Sequence, residues 1–525
     1  MRSTVLGRSL SLGACTVLVL GGAAGVAAGP AAATPAKATP VKATTAATCD
    51  PDSENSRGDF DGDSSSDVAV GMPWYQDGAG GVDLRGTHTP SVVLTSGALG
   101  VGTGEGDEFG AAIAMADLDQ DGCADLVIAA PAEGQSAGSD GAGGNEGQVH
   151  IVFGSPDGIS TSTVITLPHD SANLDHFGNT LALVPRDVGG VRVHDLYVGA
   201  PDATVSEQAS AGEVFRYTLT PVTTGRRITA TLREVRSQDS AGVPGSAETG
   251  DGFGATMAST DSGGVLVGAP NEDVGSVRNA GSVWFLRVNA AGTPIASQSW
   301  SQNSAGVPGS AEKADHFGAA VGSRGGAAVV GVPDENVGSL AEAGMVQVFT
   351  RNSSGALVPG KSITQDTPGI PGAVEAGDRF GAAVAVEDSG LCQEALDVAV
   401  GAPGEDIGTR ADAGAITLIS LTPGSGCAAK SIRQGSGLAG AAEDGDEVGS
   451  VLGLTRGRTD LDEDYSDRLL IGVPDEDIGA VPNAGMVQPA HYGITSDGVT
   501  STTLKFSKGY LLSNYYGQVL STPSD

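Results

Sequence analysis

Two short stretches of the sequence carry aspartates at alternate positions, a spacing that suits metal chemistry. They are residues 59–67, DFDGDSSSD, and residues 117–125, DLDQDGCAD, and both have acids at positions 1, 3, 5 and 9. Oxygen ligands at alternate positions let a short loop wrap a hard cation, and glycine at position 6 permits the sharp turn. The predicted ligands, including the position 7 carbonyls, are Asp59, Asp61, Asp63, Ser65, Asp67, Asp117, Asp119, Asp121, Cys123 and Asp125.

The first stretch also supports a competing interpretation, because Arg57-Gly58-Asp59 is a tripeptide that adhesion receptors recognise. Asp59 lies 12 residues before Gly71 and Asp117 lies 12 residues before Ala129, where similar motifs begin. The two loops therefore occupy equivalent places, and we expect Asp59 to face inward as a ligand. A solvated turn, which favours aspartate for its hydrogen bonds to the backbone, is the alternative for both loops.

The elements that position these loops repeat along the chain. A triplet of Gly or Ala, a small or apolar residue and Pro occurs seven times, at residues 71–73, 129–131, 199–201, 268–270, 331–333, 401–403 and 472–474. A second mark, usually Phe-Gly, precedes the last six, with its glycine at positions 110, 178, 254, 318, 381 and 449. Each unit predicts four short strands joined by turns, and no unit has a helical period. Four-stranded sheets repeated around an axis form a β-propeller.

The ring is predicted to close through the two ends of the chain. The first triplet has no Phe-Gly mark before it, whereas Gly517 in NYYGQVL stands one period beyond Gly449. We therefore predict an all-β, seven-bladed propeller of four-stranded antiparallel blades over residues 49–525, in which the C-terminal strand joins the N-terminal blade. A linear solenoid is the alternative, but it would need capping repeats and would leave the split unit unexplained.

The paired FG and GAP marks resemble the FG-GAP repeats of the integrin α-subunit propeller and its bacterial relatives. The resemblance covers about residues 59–525 and implies a bacterial secreted member of that family. The family's hairpin calcium loop matches residues 59–67 and 117–125, so the resemblance implies two Ca²⁺ sites. A third, weaker Ca²⁺ site is predicted at Asp460, Asp462 and Asp464, where Arg468 stands at position 9.

The cysteines after residue 48 are even in number, which suggests two disulfides in an exported chain. Cys392 and Cys427 fall in loops on one face of the same predicted blade. Cys49 enters the closing blade on that face, beside Cys123 of the neighbouring blade. We therefore predict the pairs Cys392–Cys427 and Cys49–Cys123.

Composition bears on location and partners. The 525 residues carry a net charge of −35, which makes nucleic acid and anionic membranes poor partners and cations good ones. Residues 1–33 predict a signal peptide of the general secretion route, and residues 34–48 predict a disordered Ala/Thr/Pro spacer. We expect a secreted, monomeric protein with no membrane span in the mature chain.

The sequence contains no catalytic constellation. The seven histidines lack metal-ligand spacing, and Ser136 matches a nucleophile elbow only formally, since it lies in a loop between strands. We predict a non-enzymatic binding or adhesion-like module whose ligand is an unknown extracellular protein or carbohydrate. The alternatives are an extracellular hydrolase or lyase acting on polysaccharide, with a site on the loop-rich face, and a structural envelope protein.

Residues that break the repeat are candidates for ligand binding. Aromatic pairs occur at one end of the closing blade, at Trp74 and Tyr75 and at Tyr515 and Tyr516, and they predict either a ligand platform or packing of the seam. Acidic loops such as PNEDVG instead repeat on the opposite face. They predict either a ring that attracts a basic partner or further cations, or loops that brace adjacent blades and cap backbone N–H groups.

Overall fold

A computed structural model of the chain describes residues 49, 58–86, 91–102, 104–134, 146–169, 176–222, 227–261, 263–387, 396–422, 427–455, 468–478, 482–491, 500–501, 519–520 and 522–523. All of these residues belong to one unit, Ala46–Asp525. The predicted signal peptide and spacer lie outside the described residues. No helix in the described ranges is long and apolar enough to cross a membrane.

Short strands form seven sheets that follow one another along the chain and are called blades 1 to 7. Blade 1 includes β1 (Val68–Met72), β2 (Gly81–Arg85) and β3 (Val92–Leu94). Blade 2 includes β4 (Ala112–Ala116), β5 (Asp125–Ala130), β6 (Gln148–Phe153) and β7 (Ser160–Thr166). Blades 3 and 4 contain β8 (Thr180–Val188), β9 (Val191–Ala200), β10 (Glu213–Pro221), β11 (Ile228–Arg236), β12 (Thr256–Thr260), β13 (Gly264–Ala269), β14 (Ser282–Val288) and β15 (Pro294–Trp300).

The remaining blades continue the same order. Blades 5 and 6 contain β16 (Ala320–Arg324), β17 (Ala327–Val332), β18 (Met345–Arg351), β19 (Leu357–Ile363), β20 (Val384–Glu387), β21 (Asp397–Ala402), β22 (Ala415–Ser420), β23 (Lys430–Gln434) and β24 (Gly437–Leu438). Blade 7 contains β25 (Val451–Thr455), β26 (Arg468–Val473), β27 (Met486–His491) and β28 (Thr500–Ser501), and the chain ends with β29 (Val519–Leu520) and β30 (Thr522–Pro523). There are two single helical turns: α1 (Tyr75–Gly78) lies between β1 and β2 of blade 1, and α2 (Ser96–Leu99) lies between β3 of blade 1 and β4 of blade 2.

The ring closes as the sequence predicts. β29 pairs antiparallel with β1, with Val519 opposite Gly71, and completes blade 1 as its first strand. The first strands of successive blades contact one another from β4 through β8, β12, β16, β20 and β25 to β29, and β29 contacts β4. The prediction of a seven-bladed β-propeller is therefore confirmed. Gly517 lies outside the described residues.

Two blades depart from the predicted four strands. β24 adds a short parallel strand to blade 6, and β30 pairs parallel with β4 at the inner edge of blade 2. The chain end therefore contacts two blades, because the residues after β29 continue past the seam. A two-residue strand has too little pattern to be predicted from a sequence.

The core lies between the blades. Seven clusters of buried apolar side chains each join one pair of neighbouring blades, including the seam between blades 7 and 1. The Phe of each FG mark is completely buried; these are Phe109, Phe177, Phe253, Phe317 and Phe380. The repeated marks are thus the residues that bind one blade to the next.

Backbone contacts explain why glycine accompanies these marks. Phe253 donates its N–H to the Ala211 oxygen of the preceding blade at 3.0 Å. The following residue, Gly212, has φ +90°, and a Cβ there would lie 2.3 Å from the Phe253 oxygen. Only glycine meets both conditions, because it tolerates positive φ and has no side chain.

Small residues also line the central channel. Ala112, Ala114, Ala258, Gly322 and Ala385 border a cavity of about 390 Å³ formed by the first strands of the blades. The short side chains that follow the FG marks therefore lie in the crowded inner strands of the ring.

Candidate metal centres

The first aspartate loop (residues 59–67) gathers three carboxylates before β1. Oxygen atoms of Asp59, Asp61 and Asp67 lie within 4.8 Å of one another, and all three residues are buried. Asp59 Oδ1 accepts the Gly62 N–H at 2.6 Å, and Asp59 Oδ2 accepts the Ser64 N–H at 2.8 Å. The backbone therefore wraps around Asp59, and the Arg-Gly-Asp tripeptide presents no exposed aspartate to a receptor.

The second aspartate loop (residues 117–125), between β4 and β5, has the same arrangement. Oxygen atoms of Asp117, Asp119 and Asp125 lie within 4.8 Å of one another. Asp117 Oδ2 accepts the Gly122 N–H at 3.0 Å, as Asp59 Oδ2 accepts the N–H at position 6 of the first loop. Position 6 has φ +92° at Gly122 and φ +70° at Ser64, so the first loop makes the same turn without glycine.

The other predicted ligands have different places. Asp63 Oδ1 accepts the Ser65 N–H at 2.7 Å, and Asp121 Oδ1 accepts the Cys123 N–H at 2.9 Å. Neither carboxylate belongs to the close group of three in its loop. Ser65 and Cys123 are buried at the position whose carbonyl is a predicted ligand. In each loop, three acids of positions 1, 3 and 9 therefore form the centre, and the acid at position 5 holds the turn.

Burial shapes the electrostatics of both loops. It raises the pKa of Asp59 to about 6, that of Asp117 to about 7 and that of Asp67 to about 10. Burial also raises the pKa of Asp125 well above its usual range, with the neighbouring Asp119 as the next cause. Asp67 Oδ1 is buried and accepts no hydrogen bond among the described residues. Crowded, desolvated carboxylates with a vacant acceptor fit a divalent cation bound through oxygen.

A disulfide joins Cys49, which precedes the first aspartate loop, to the second aspartate loop. Cys49 and Cys123 are bonded, which confirms this predicted pair. Ala124 also donates its N–H to the Asp59 oxygen at 2.7 Å, so the first loop packs against the second. Cys427 is disulfide-bonded as well, while its predicted partner Cys392 lies outside the described residues.

Blade 3 places a different structure at the equivalent position. Asp195 lies four residues before Gly199, as Asp125 lies four before Ala129, and it is completely buried. Arg186 binds it through two hydrogen bonds, Nε to Oδ2 at 3.0 Å and Nη2 to Oδ1 at 3.1 Å. Arg216 adds a hydrogen bond from Nη1 to Oδ2 at 3.3 Å. Two guanidinium groups therefore supply the positive charge for this aspartate.

Sequence reasoning missed this arginine pair. Only the acids at the two ends of residues 187–195, Asp187 and Asp195, match the metal pattern, and neither arginine that binds Asp195 lies between them. Arg216 comes from β10, 21 residues beyond Asp195, where local spacing gives no signal. Arg186, immediately before the loop, was the one available clue.

We expect Asp195→Ala to lower the free energy of unfolding by about 3–5 kcal/mol, because it removes the buried carboxylate that Arg186 and Arg216 share, and only Arg216 keeps a second acid, Glu234, among the described residues. Urea unfolding followed by circular dichroism measures this. Asp187→Ala, at an exposed position of the same loop, is the control and should change stability by less than about 0.5 kcal/mol. An Asp195→Ala protein as stable as the parent would show that the arginine pair contributes nothing.

Comparison with known proteins bears on this geometry. The sequence model of the FG-GAP repeat matches residues 109–152, which hold the FG mark, the second aspartate loop and the triplet of blade 2. That unit is one of the seven that build the ring. The chain is therefore a seven-bladed β-propeller that contains an FG-GAP repeat, and we call it the FG-GAP propeller.

A curated relative supports the same family. The FG-GAP propeller is 32% identical over 145 residues to "Integrin alpha-PS2" of Drosophila melanogaster. The match covers 27% of this chain and only 10% of that protein, so the chain spans a small part of its relative's length.

Two solved structures are similar in outline. Sqt1 of Chaetomium thermophilum is 14% identical, with a TM-score of 0.38 over 75% of this chain and 71% of that one. The periplasmic gluconolactonase PpgL of Pseudomonas aeruginosa is 15% identical, with a TM-score of 0.42 over 87% of this chain and 97% of that one. We draw no argument about function from either.

The two described aromatic residues of the closing blade of the FG-GAP propeller differ in their exposure to solvent. Trp74 is exposed over 47% of its surface, whereas Tyr75 is buried in the cluster that joins blades 7 and 1. Tyr75 therefore packs the seam, and Trp74 is the member available to a ligand. Tyr515 and Tyr516, and the predicted third metal site at Asp460, Asp462 and Asp464, lie outside the described residues.

The acidic loops on the opposite face of the FG-GAP propeller contain a repeated pair that sequence reasoning missed. A buried glutamine donates from Nε2 to a glutamate of the loop after the triplet at 2.5–2.7 Å; the pairs are Gln238–Glu272, Gln302–Glu335, Gln365–Glu405 and Gln434–Glu476. Beside each pair, a buried aspartate caps a backbone N–H, as Asp251 Oδ2 does for Glu248 at 2.7 Å. In the sequence, the first three of these glutamines stand in the recurring segments SQDS, SQNS and TQDT, and this recurrence could have indicated the pairs.

These contacts favour the structural interpretation of the acidic loops. Among the described residues, groups of three metal-binding side chains occur at the two aspartate loops and at the Cys49–Cys123 disulfide, and the acidic loops provide none. Burial raises the pKa of Glu272 to about 8 and that of Glu335 to about 7. The acidic loops therefore hold desolvated carboxyl groups within hydrogen-bonded turns.

Proposed function

We propose that this FG-GAP propeller is a calcium-stabilised, non-enzymatic binding module that acts outside the cell. The observation that carries the calcium part is the contrast at one position of the fold. Asp195 in blade 3 is bound by two arginines, whereas Asp67 in blade 1 lies among Asp59, Asp61 and Asp63. A cation in blades 1 and 2 supplies the charge that the arginines supply in blade 3.

Ca²⁺ suits the aspartate loops better than smaller or softer ions. The clustered donors are carboxylate oxygens, Ser65 and Cys123 occupy the position whose carbonyl is a predicted ligand, and flexible oxygen coordination is typical of Ca²⁺. The nearby Cys49 and Cys123 sulfurs are joined to each other, so neither is a thiolate ligand. In each loop the three clustered aspartates would hold the ion, and the ion would lock the turn before the buried second strand.

Two observations support a binding role outside the cell. The Cys49–Cys123 disulfide is typical of an oxidising compartment. The similarity to an integrin α sequence over 145 residues favours an adhesion-like module over an enzyme. Trp74, on the face opposite the aspartate loops, is the largest exposed apolar side chain of the described residues and the best candidate for a ligand contact.

A binding array of glycans, cell-wall fragments and matrix proteins tests the role. We expect at least one class to bind, and Trp74→Ala to weaken that binding by about tenfold or more, as truncation of an interface tryptophan usually does. Val92→Ala, an exposed apolar residue on the outer strand of the same blade, is the control and should bind normally. If no arm of the array binds, the binding role is wrong, and calcium dependence of folding stays a separate question.

A further inference from the structure

Blade 3 extends beyond the other blades on the face of the aspartate loops. Its four strands have 9, 10, 9 and 9 residues, against 5, 6, 7 and 7 in blade 4. The β8–β9 hairpin turns at Gly189 and Gly190, both with positive φ, which is the two-residue turn that suits a twisted hairpin. The extra length forms a wall beside the second aspartate loop.

A cleft of about 770 Å³ lies against this wall. It is bordered by the β8–β9 tip, the end of β10 and the β14–β15 hairpin of blade 4. Val188, Val191 and Val222 line it and are exposed over 41%, 42% and 39% of their surfaces. Of the nine large apolar side chains exposed in the described ranges, five belong to blade 3. Such a concentration marks an interaction site rather than scattered surface residues.

Three arginines line the floor of the cleft. Arg186, Arg216 and Arg233 line it, and the first two are fixed to the β14–β15 hairpin by hydrogen bonds to the Ala290 and Gly292 oxygens at 3.2 and 2.9 Å. Residues 176–236 contain seven arginines and six acids, in a chain whose net charge is −35. Blade 3 is therefore a basic region on an acidic molecule.

The acids that line the cleft are engaged elsewhere. Glu234 pairs with Arg216 at 2.7 Å and with Arg236 at 2.9 Å. Asp119 sends a carboxylate oxygen to the group that it forms with Asp117 and Asp125. Arg233 is exposed and forms no ion pair with the described residues, so its guanidinium group is available to a ligand.

We propose that this cleft binds an acidic peptide segment. A ligand carboxylate meets Arg233 above the Arg186–Arg216 floor, and aliphatic ligand side chains pack against Val188, Val191 and Val222. A peptide fits better than a polysaccharide because none of the described residues that line the cleft is aromatic and able to stack on a sugar ring. The cleft lies on the face opposite Trp74, so the inference goes beyond the proposed function and does not depend on it.

Fluorescence polarisation with two labelled peptides tests the proposal. The probe is acetyl-Val-Glu-Leu-Asp-Val-amide, and its uncharged match is acetyl-Val-Gln-Leu-Asn-Val-amide. With the calcium-loaded full chain, we expect the acidic peptide to bind at least about tenfold more tightly, since charge-assisted hydrogen bonds to arginine are the strong ones. Arg233→Ala should weaken binding of the acidic peptide by about tenfold. Lys361 is a basic residue exposed on the outer strand β19 of blade 5, and Lys361→Ala should leave binding of the acidic peptide unchanged.

A charge pair at the rim separates electrostatics from packing. Val191→Glu should abolish binding of the acidic peptide, while Val191→Lys should keep or strengthen it. Both replace an exposed valine, and thermal unfolding confirms that each variant is folded. Equal affinity for the two peptides, or equal losses in Arg233→Ala and Lys361→Ala, would overturn the proposal. So would binding of polygalacturonate, lost in Arg233→Ala, in the absence of any peptide binding.

Discussion

Removal of Ca²⁺ with a chelator should lower the melting temperature of the propeller by about 10 °C or more. Each loop contributes about 4 kcal/mol of stability if it binds Ca²⁺ only in the folded state and the free Ca²⁺ concentration is about a thousand times the Kd. One kcal/mol shifts the melting temperature of a large domain by about 2 °C. The effect is large because the two loops contact each other and connect blade 2 to blade 1, the blade that closes the ring.

Variants at the same loop position assign the effect. Asp117→Ala removes the first ligand of the second aspartate loop, whereas Asp187→Ala removes the acid at position 1 of blade 3, which has arginines in place of a cation. Isothermal titration calorimetry should count one fewer Ca²⁺ in Asp117→Ala and an unchanged number in Asp187→Ala. Differential scanning calorimetry should show that chelator lowers the melting temperature of Asp117→Ala by less than that of the parent, and that of Asp187→Ala by as much as that of the parent. A parent protein that binds no Ca²⁺ and melts at one temperature with or without chelator would remove the metal assignment.

How far the sequence predicts this molecule depends on whether a contact is local. The aspartate loops were predicted because each set of acids lies within nine residues, so the spacing alone determines the geometry. The blades were predicted because the FG marks lie at the contacts between blades, so a contact that recurs around the ring also recurs along the sequence. The Cys49–Cys123 pair followed from the ring, since it joins two neighbouring blades.

The features that escaped prediction are non-local or occur once. Arg216 reaches Asp195 from another strand, and β30 adds to blade 2 across the seam. Trp74 and Tyr75 are adjacent in sequence, yet α1 directs one to solvent and the other into the core. The alternation of side chains along a strand does not predict which way side chains point in a single helical turn such as α1. The basic cleft of blade 3 is of the same kind, because three separate segments form it.

The second large effect concerns pH and arises from the acidic loops. Burial raises the pKa of Glu272 to about 8, that of Glu476 to about 7 and that of Asp378 to about 7. A carboxyl group whose folded pKa exceeds its unfolded value binds its proton more tightly in the folded state. Its contribution to stability is full below about pH 4 and is lost as the pH rises through the folded pKa, between about 6 and 8. The calcium-loaded propeller should therefore lose stability from pH 5.5 to pH 8.

The substitution Glu272→Gln isolates one of these sites. Gln238 Oε1 is buried and accepts no hydrogen bond from the described residues, so the new amide can donate to it without carrying a charge. We expect the stability advantage of the variant over the parent to grow by on the order of 2 kcal/mol from pH 5.5 to pH 8. Urea unfolding at both pH values, in saturating Ca²⁺, measures the difference. Glu207→Gln, an exposed acid on the same face, should leave the pH profile unchanged. If Glu272→Gln changed stability equally at both pH values, the effect would be packing, and the protonation of this buried carboxyl group would not govern the pH response.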